Sequence, residues 1–259
     1  MQARKLSLLR GWAWVVEGIL LVRRQPTPLI SSSATLALCF MGLLIVPVLG
    51  QAAMVMLMPV FEVGMFLVCR ELSEGQRIRP GLLFEGFRMS LRPLVSLGGM
   101  RLISNLTMLW VALLLTGMNL ARMEQIAADN ASTMNFPPMD YLRMLGVFML
   151  LRLPIEMAFW FAAPCVSLRG LPLKKALFFS WVACWRNFGA MLVFMAGLAL
   201  VCGVLPGFVF SLLGKMSGLI FMPLFALWIM LSLSVFYAAF YRSACDIFGD
   251  WPHPLTHEI

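Results

Sequence analysis

Residues 28–69 read PLISSSATLALCFMGLLIVPVLGQAAMVMLMPVFEVGMFLVC, and their composition decides the fold. A single charged residue, Glu62, stands in this stretch. A helix rises about 1.5 Å per residue, so about 20 apolar residues cross a hydrocarbon core. The stretch therefore holds two spans, Pro28–Gly50 and Gln51–Cys69, meeting in a tight turn around Gly50. Reading outward on the same criterion predicts four more: Pro93–Gly117, Tyr141–Leu168, Phe188–Leu213 and Leu219–Ala239. Six spans form three hairpins. The second hairpin has a long connection, Met118–Asp140, and the third a short one, Gly214–Gly218.

The rest of the chain agrees. Of 259 residues, 61% are apolar and 12% charged, with mean hydropathy +0.88. A soluble domain carries about 25% charged residues, so no water-facing surface can be built from this composition. No small-residue cleavage site follows the first apolar stretch, so the first span is expected to stay in the protein. The expected fold class is all-α, a polytopic membrane protein of six helices.

The net charge of +8 reads as topology rather than nucleic-acid binding. Arg4, Lys5, Arg10, Arg23 and Arg24 precede the first span. Arg70, Arg77, Arg79, Arg88 and Arg92 separate spans two and three, and Arg169, Lys174, Lys175 and Arg186 separate spans four and five. Arg242 follows span six, while the other side holds only Arg122, Arg143 and Lys215. Basic residues collect on the cytoplasmic face, so both termini are expected there. Glu124, Asp129 and Asp140 make the long connection polar, and Asn130-Ala131-Ser132 in it fits a glycosylation sequon.

The segments ahead of the hairpins resemble one another. Glu17-Gly18-Ile19 precedes the first, with Arg24 seven residues after Glu17. Glu85-Gly86-Phe87 precedes the second, with Arg92 at the same distance, and Phe179-Ser180-Trp181 precedes the third, with Arg186 likewise. Aromatic and basic residues mark each as an amphipathic helix lying in the membrane interface, over Ser7–Val22, Pro80–Leu91 and Leu173–Trp185. Pro59, Pro154 and Pro223 mark the return spans and are expected to kink them. The pattern suggests one membrane domain of three pseudo-repeats, 7–72, 80–169 and 173–249. Generic hairpin architecture is the alternative.

Three stretches also carry a resemblance. They are Gly11-Trp12-Ala13-Trp14 with Arg23-Arg24-Gln25-Pro26; Cys69-Arg70-Glu71 through Gly75 to Leu83-Phe84-Glu85-Gly86-Phe87-Arg88; and Tyr237 to Tyr241-Arg242 with Asp246-Ile247-Phe248-Gly249. In them the chain resembles a family of bacterial six-span inner-membrane proteins of unknown function. More distantly it is similar to the membrane domain attached to some glycerophosphodiester phosphodiesterases. The resemblance implies six-span architecture and a bacterial inner membrane, and leaves activity open. The long Met-rich connection departs from the family pattern.

Candidate chemistry is sparse. Both histidines, His253 and His257, lie in the tail, so no Ser-His-Asp set assembles, and no glycine-rich phosphate loop appears. None of the six cysteines forms a CxxC pair. Cys69, Cys165 and Cys245, near the basic ends of the return spans, read as small buried hydrophobes. Neither enzyme, cofactor nor zinc site is expected. Ionisable residues inside spans are costly and are paired or functional. Glu62 lies eight residues before Arg70, and Arg101 nine after Arg92. Both thus sit about 12–14 Å inside the basic boundary, at a depth that suits an ion pair. Arg152 and Glu156 are four apart and share a helix face. These four either lock the bundle or line a polar path. Met54 and Met58 share a face and are the weak candidates for a soft metal such as Cu(I), although methionine is also an adaptable core filler. The expected role is that of an accessory or scaffold subunit. It would contact membrane lipids and other membrane subunits, with no nucleic acid. A small transporter or channel is the alternative, and copper handling a third.

Overall fold

A computed structural model describes residues 4–79, 81–119, 121, 124–125, 128, 139–212, 218–249 and 251, and among these it is helical with no strand. Helices α1 (Arg10–Arg24), α2 (Pro26–Leu44) and α3 (Leu49–Ser73) come first. A 3₁₀ turn at Leu82–Phe84 leads into α4 (Glu85–Met89) and α5 (Leu91–Thr116). Then follow α6 (Met139–Phe159), α7 (Ala162–Arg169) and α8 (Leu173–Arg186). Helix α9 (Phe188–Leu198) runs through a π-helical stretch, Ala199–Val204, into α10 (Leu205–Leu212). Helix α11 (Gly218–Phe248) completes the set. Among the described residues six stretches are long and apolar enough to cross a membrane: Pro26–Leu44, Leu49–Ser73, Leu91–Thr116, Met139–Arg169, Phe188–Ser211 and Phe221–Phe248.

Local chemistry explains several boundaries. Pro26 and Pro28 open α2, where proline's missing N–H costs nothing. Gly170, at φ +59°, closes α7 in the left-handed conformation that only glycine adopts freely. The first turn falls at 45–48 rather than around Gly50, with Val48 at φ +63°. Pro47 cannot continue the ladder of hydrogen bonds. Gly50 is instead inside α3, where the Leu43 carbonyl fills the space a Cβ would need. Span six extends past its predicted end at Ala239, because Arg242 and Asp246 find ion partners on α1.

The prolines expected to kink the return spans, Pro59, Pro154 and Pro223, each lie inside a continuous helix. The break comes in span four at Trp160–Phe161, one turn before Pro164. There Ser180 of α8 inserts its hydroxyl into the ladder, accepting from the Phe161 N–H at 2.8 Å and donating to the Met157 carbonyl at 2.8 Å. A side chain inserted between residues i and i−4 satisfies both groups that the break frees.

The segments between hairpins hold the bundle together. Gly18 of α1 lies against Ala239 of span six with no room for a Cβ, and Gly86 of α4 lies against the Val60 carbonyl of span two. Ser180 bridges the break in span four. The middle residue of each sequence motif therefore meets a return span. The second segment is shorter than expected, a 3₁₀ turn and five helical residues rather than a helix over Pro80–Leu91. Trp14, expected at the interface, is fully buried, because α11 and α9 cover α1. The main core lies at the end where these segments sit, with Trp14, Phe66, Phe161, Phe194 and Ile247 fully enclosed. Toward the other end the spans turn large apolar residues outward, among them Leu106, Trp110, Leu150 and Phe208, as a lipid-facing surface does.

Candidate functional site

Close packing of spans two and three sets the intramembrane charges. Gly98 of α5 lies against the Met56 backbone of α3 with no room for a Cβ. One turn along, Arg101 reaches Glu62, with Nη1 3.3 Å from Oε1. Its Nη2 donates to Glu156 Oε2 on α6 at 2.6 Å. Arg152 takes the other oxygen of Glu156, from Nε at 2.7 Å and from Nη2 at 2.6 Å. Glu156 thus bridges two guanidinium groups. The structure joins all four candidate residues into one chain, Glu62–Arg101–Glu156–Arg152, whose formal charges cancel. Spacing placed Glu62 with Arg101 and Arg152 with Glu156. It missed the bond between Arg101 and Glu156, which depends on how α5 meets α6.

The surroundings are apolar and confined. A small cavity of about 60 Å³ beside Glu62 and Arg101 is lined by Phe159, Trp160, Phe236 and Tyr237. A larger groove of about 410 Å³ opens beyond Arg152 and Glu156. Met58 lies against Arg101, its sulfur accepting from Nη1 at 3.9 Å. Met54 stands one turn earlier on α3. No cluster of three His, Cys, Asp or Glu residues suited to a metal occurs among the described residues. His253, His257 and the 130–132 sequon lie outside them. All six cysteines are free. Burial pushes the Cys184 thiol, on α8, above its ordinary range, so it is an inert small hydrophobe rather than a nucleophile.

A second charged set went unseen in the sequence. Asp246 near the end of α11 accepts from Arg10 Nε and Trp14 Nε1 of α1, each at 2.7 Å, and pairs with Arg10 Nη2 as well. Arg10 also reaches Glu17 at 3.2 Å, and Arg242 Nε donates to Glu17 Oε2 at 2.7 Å. The available signal was spacing: Arg242 and Asp246 share a helix face, as do Arg10 and Glu17 two turns apart. Charges at a basic membrane boundary look generic, and that masked it. Asn187 adds a third tie. Its side chain accepts from the Leu6 N–H at 2.8 Å and donates to the Arg4 carbonyl at 2.9 Å.

Comparison with known proteins places this architecture. The chain is 31% identical, over 96% of its own length and 94% of the other's, to a protein of Burkholderia thailandensis described as a probable inner membrane protein. No protein-family model matches the chain, and no solved structure matches it. With that identity across nearly all of both chains, and with six apolar helices, this multi-pass bacterial membrane protein belongs to the family of the Burkholderia protein.

Proposed function

We propose that the chain is a non-enzymatic membrane protein that acts by binding, as an accessory or scaffold subunit of an inner-membrane assembly. The observation carrying this reading is the cancellation of the intramembrane charges. Glu62, Arg101, Glu156 and Arg152 bond to one another, and the cavity at Glu62 and Arg101 is about 60 Å³. A transport path needs charges that face water, whereas a structural lock needs charges that face each other. We read the sequence resemblance to the membrane domain attached to some glycerophosphodiester phosphodiesterases in the same sense, as that of a non-catalytic membrane part. We also read the chain as one domain of three pseudo-repeats, 7–72, 80–169 and 173–249. The matching contacts of Gly18, Gly86 and Ser180 support it. Both termini are assigned to the cytoplasm on the basic asymmetry. Membrane lipids and further membrane subunits are the partners.

Two measurements test this. Purification from native membranes in mild detergent, followed by mass spectrometry, should recover a membrane subunit in fixed ratio. A chain that runs alone and moves a solute in vesicles would favour the transporter reading instead. Cysteine placed at Ser132 should label from the periplasmic side and cysteine at Ser73 should not; the reverse pattern overturns the orientation.

A further inference from the structure

At the basic end a cleft of about 240 Å³ opens between α1, the end of α3 and α11. Glu17, Leu20 and Arg24 of α1 form one wall, and Leu72, Ser73 and Arg242 face them. Ser73 is the last residue of α3, and Arg24 stands just before span one begins at Pro26. The cleft therefore lies at the ends of the spans. Phospholipid phosphates occupy that level, just outside the hydrocarbon core.

Two of the polar groups in the cleft are already engaged. Glu17 gives one oxygen to Arg10 at 3.2 Å and the other to Arg242 at 2.7 Å. Ser73 donates its one proton to the Arg70 carbonyl at 2.8 Å and pairs with the Tyr241 hydroxyl at 3.0 Å. Arg242 uses Nε on Glu17. That bond fixes its guanidinium and leaves Nη1 and Nη2 with no partner among the described residues. The Arg24 side chain is exposed and has no hydrogen bond or ion pair among them either. Each guanidinium carries five N–H groups, so the spare capacity of the cleft is cationic donors. Arg23, equally exposed, lies outside it.

Charge decides the occupant. Arg10 and Arg242 balance Glu17 and Asp246, so Arg24 leaves the cleft one positive charge in excess. Guanidinium forks match the oxygens of a phosphate. A choline or ethanolamine head would bring an ammonium beside them, with both oxygens of Glu17 already held by arginines. Leu20, 43% exposed, and Leu72 make the rest of the wall apolar, which suits acyl chains better than an acidic protein segment. We propose that the cleft binds one anionic glycerophospholipid by its phosphate. Arg24 and Arg242 donate to the phosphate oxygens, an uncharged glycerol head faces water, and the acyl chains leave past Leu20 into the hydrocarbon. The site rests on the lipid contact read above and not on the subunit role.

The test uses the full chain in mild detergent at about 0.15 M salt, where the screening length is about 8 Å, and counts retained lipids by native mass spectrometry. One phosphatidylglycerol per chain should be held about tenfold more tightly than phosphatidylcholine or phosphatidylethanolamine with the same acyl chains. Arg24→Gln should abolish that preference. Arg24 has no partner in the fold to lose, so the thermal midpoint should not move. Leu20→Trp fills the cleft and should release the lipid by a second route, while Arg23→Gln should keep it. Equal retention of the three lipids overturns the proposal, as does native retention by Arg24→Gln. An equal loss in Arg23→Gln overturns it too, since the attraction would then be one of general charge. Displacement by an equal concentration of glycerol phosphate would make a soluble ester the ligand, and displacement by hexaglutamate an acidic segment of a partner. Either overturns the lipid. All of these are read on the isolated chain, so they stand whether or not a subunit co-purifies.

Discussion

Two sets of four charges tie this bundle together, each with two arginines and two carboxylates. Glu62, Arg101, Glu156 and Arg152 join spans two, three and four inside the apolar region. Arg10, Glu17, Arg242 and Asp246 join α1 to the last helix at the basic end. Arithmetic is the same and surroundings differ. The side chains of Glu62 and Arg101 are 14% and 15% exposed, those of Arg10 and Arg242 35% and 40%. In the first set Glu62 and Arg101 have lost most of their water, so each depends on its partner to be tolerated at all. In the second, water and salt share the work of solvation, and the pairing orients α1 rather than rescuing a stranded charge. The same bonds thus serve as a condition of insertion in one place and as a docking contact in the other.

The largest expected effect comes from breaking the inner set. Arg101→Met strands Glu62, which has Arg101 as its ion partner, and should lower stability in detergent by about 3–5 kcal/mol. Glu62→Gln should cost less, since Arg101 keeps Glu156. The double change leaves the neutral pair of Arg152 and Glu156 and should recover most of the loss. Thermal unfolding of the four proteins measures this cycle. If the double variant is as unstable as Arg101→Met, the charges do not act as a lock. Recovery of stability without recovery of the assembly's activity would point to a transport path.

The outer set should respond more weakly, and to salt. Asp246→Asn removes the carboxylate shared by Arg10 and Trp14 and should cost about 1 kcal/mol at low ionic strength. At 1 M salt the screening length falls to about 3 Å, so the difference from the native chain should shrink. The deficit of Arg101→Met should not. Equal salt dependence in both would erase the distinction between the two sets.

The smallest effect is expected from Met54→Leu with Met58→Leu. Met58 touches Arg101 only through sulfur at 3.9 Å, and a swap of similar volume costs under about 1.5 kcal/mol. A copper tolerance assay should match the native strain. Copper sensitivity would instead make these thioethers ligands.

How far each set could be read in the chain follows from the same contrast. Glu62, Arg101, Arg152 and Glu156 stood out because a charge among apolar residues is an exception that physics must account for. Equal depth then made Glu62 and Arg101 partners. Asp246 and Glu17 were hidden among many charges at a boundary where charge is expected. Ser180 was visible as the middle residue of a repeated motif, at the position of Gly18 and Gly86, but its task was not. The prolines drew attention to Pro154, while the break lies before Pro164, where Ser180 is at hand to satisfy both freed groups.

Read alone, the chain already shows that it lives in lipid, that it crosses six times, and that Glu62, Arg101, Arg152 and Glu156 stand inside its spans. Those properties follow from composition and from distance along a helix, both of which are local. Helix packing adds that Arg101 bridges Glu62 to Glu156, that Trp14 belongs to the core, and that a groove opens beside Arg152. Each of these depends on which helices lie side by side and how closely. That is set by small residues such as Gly98, Gly18 and Gly11 admitting a neighbour's backbone, and their partners lie far away in the chain.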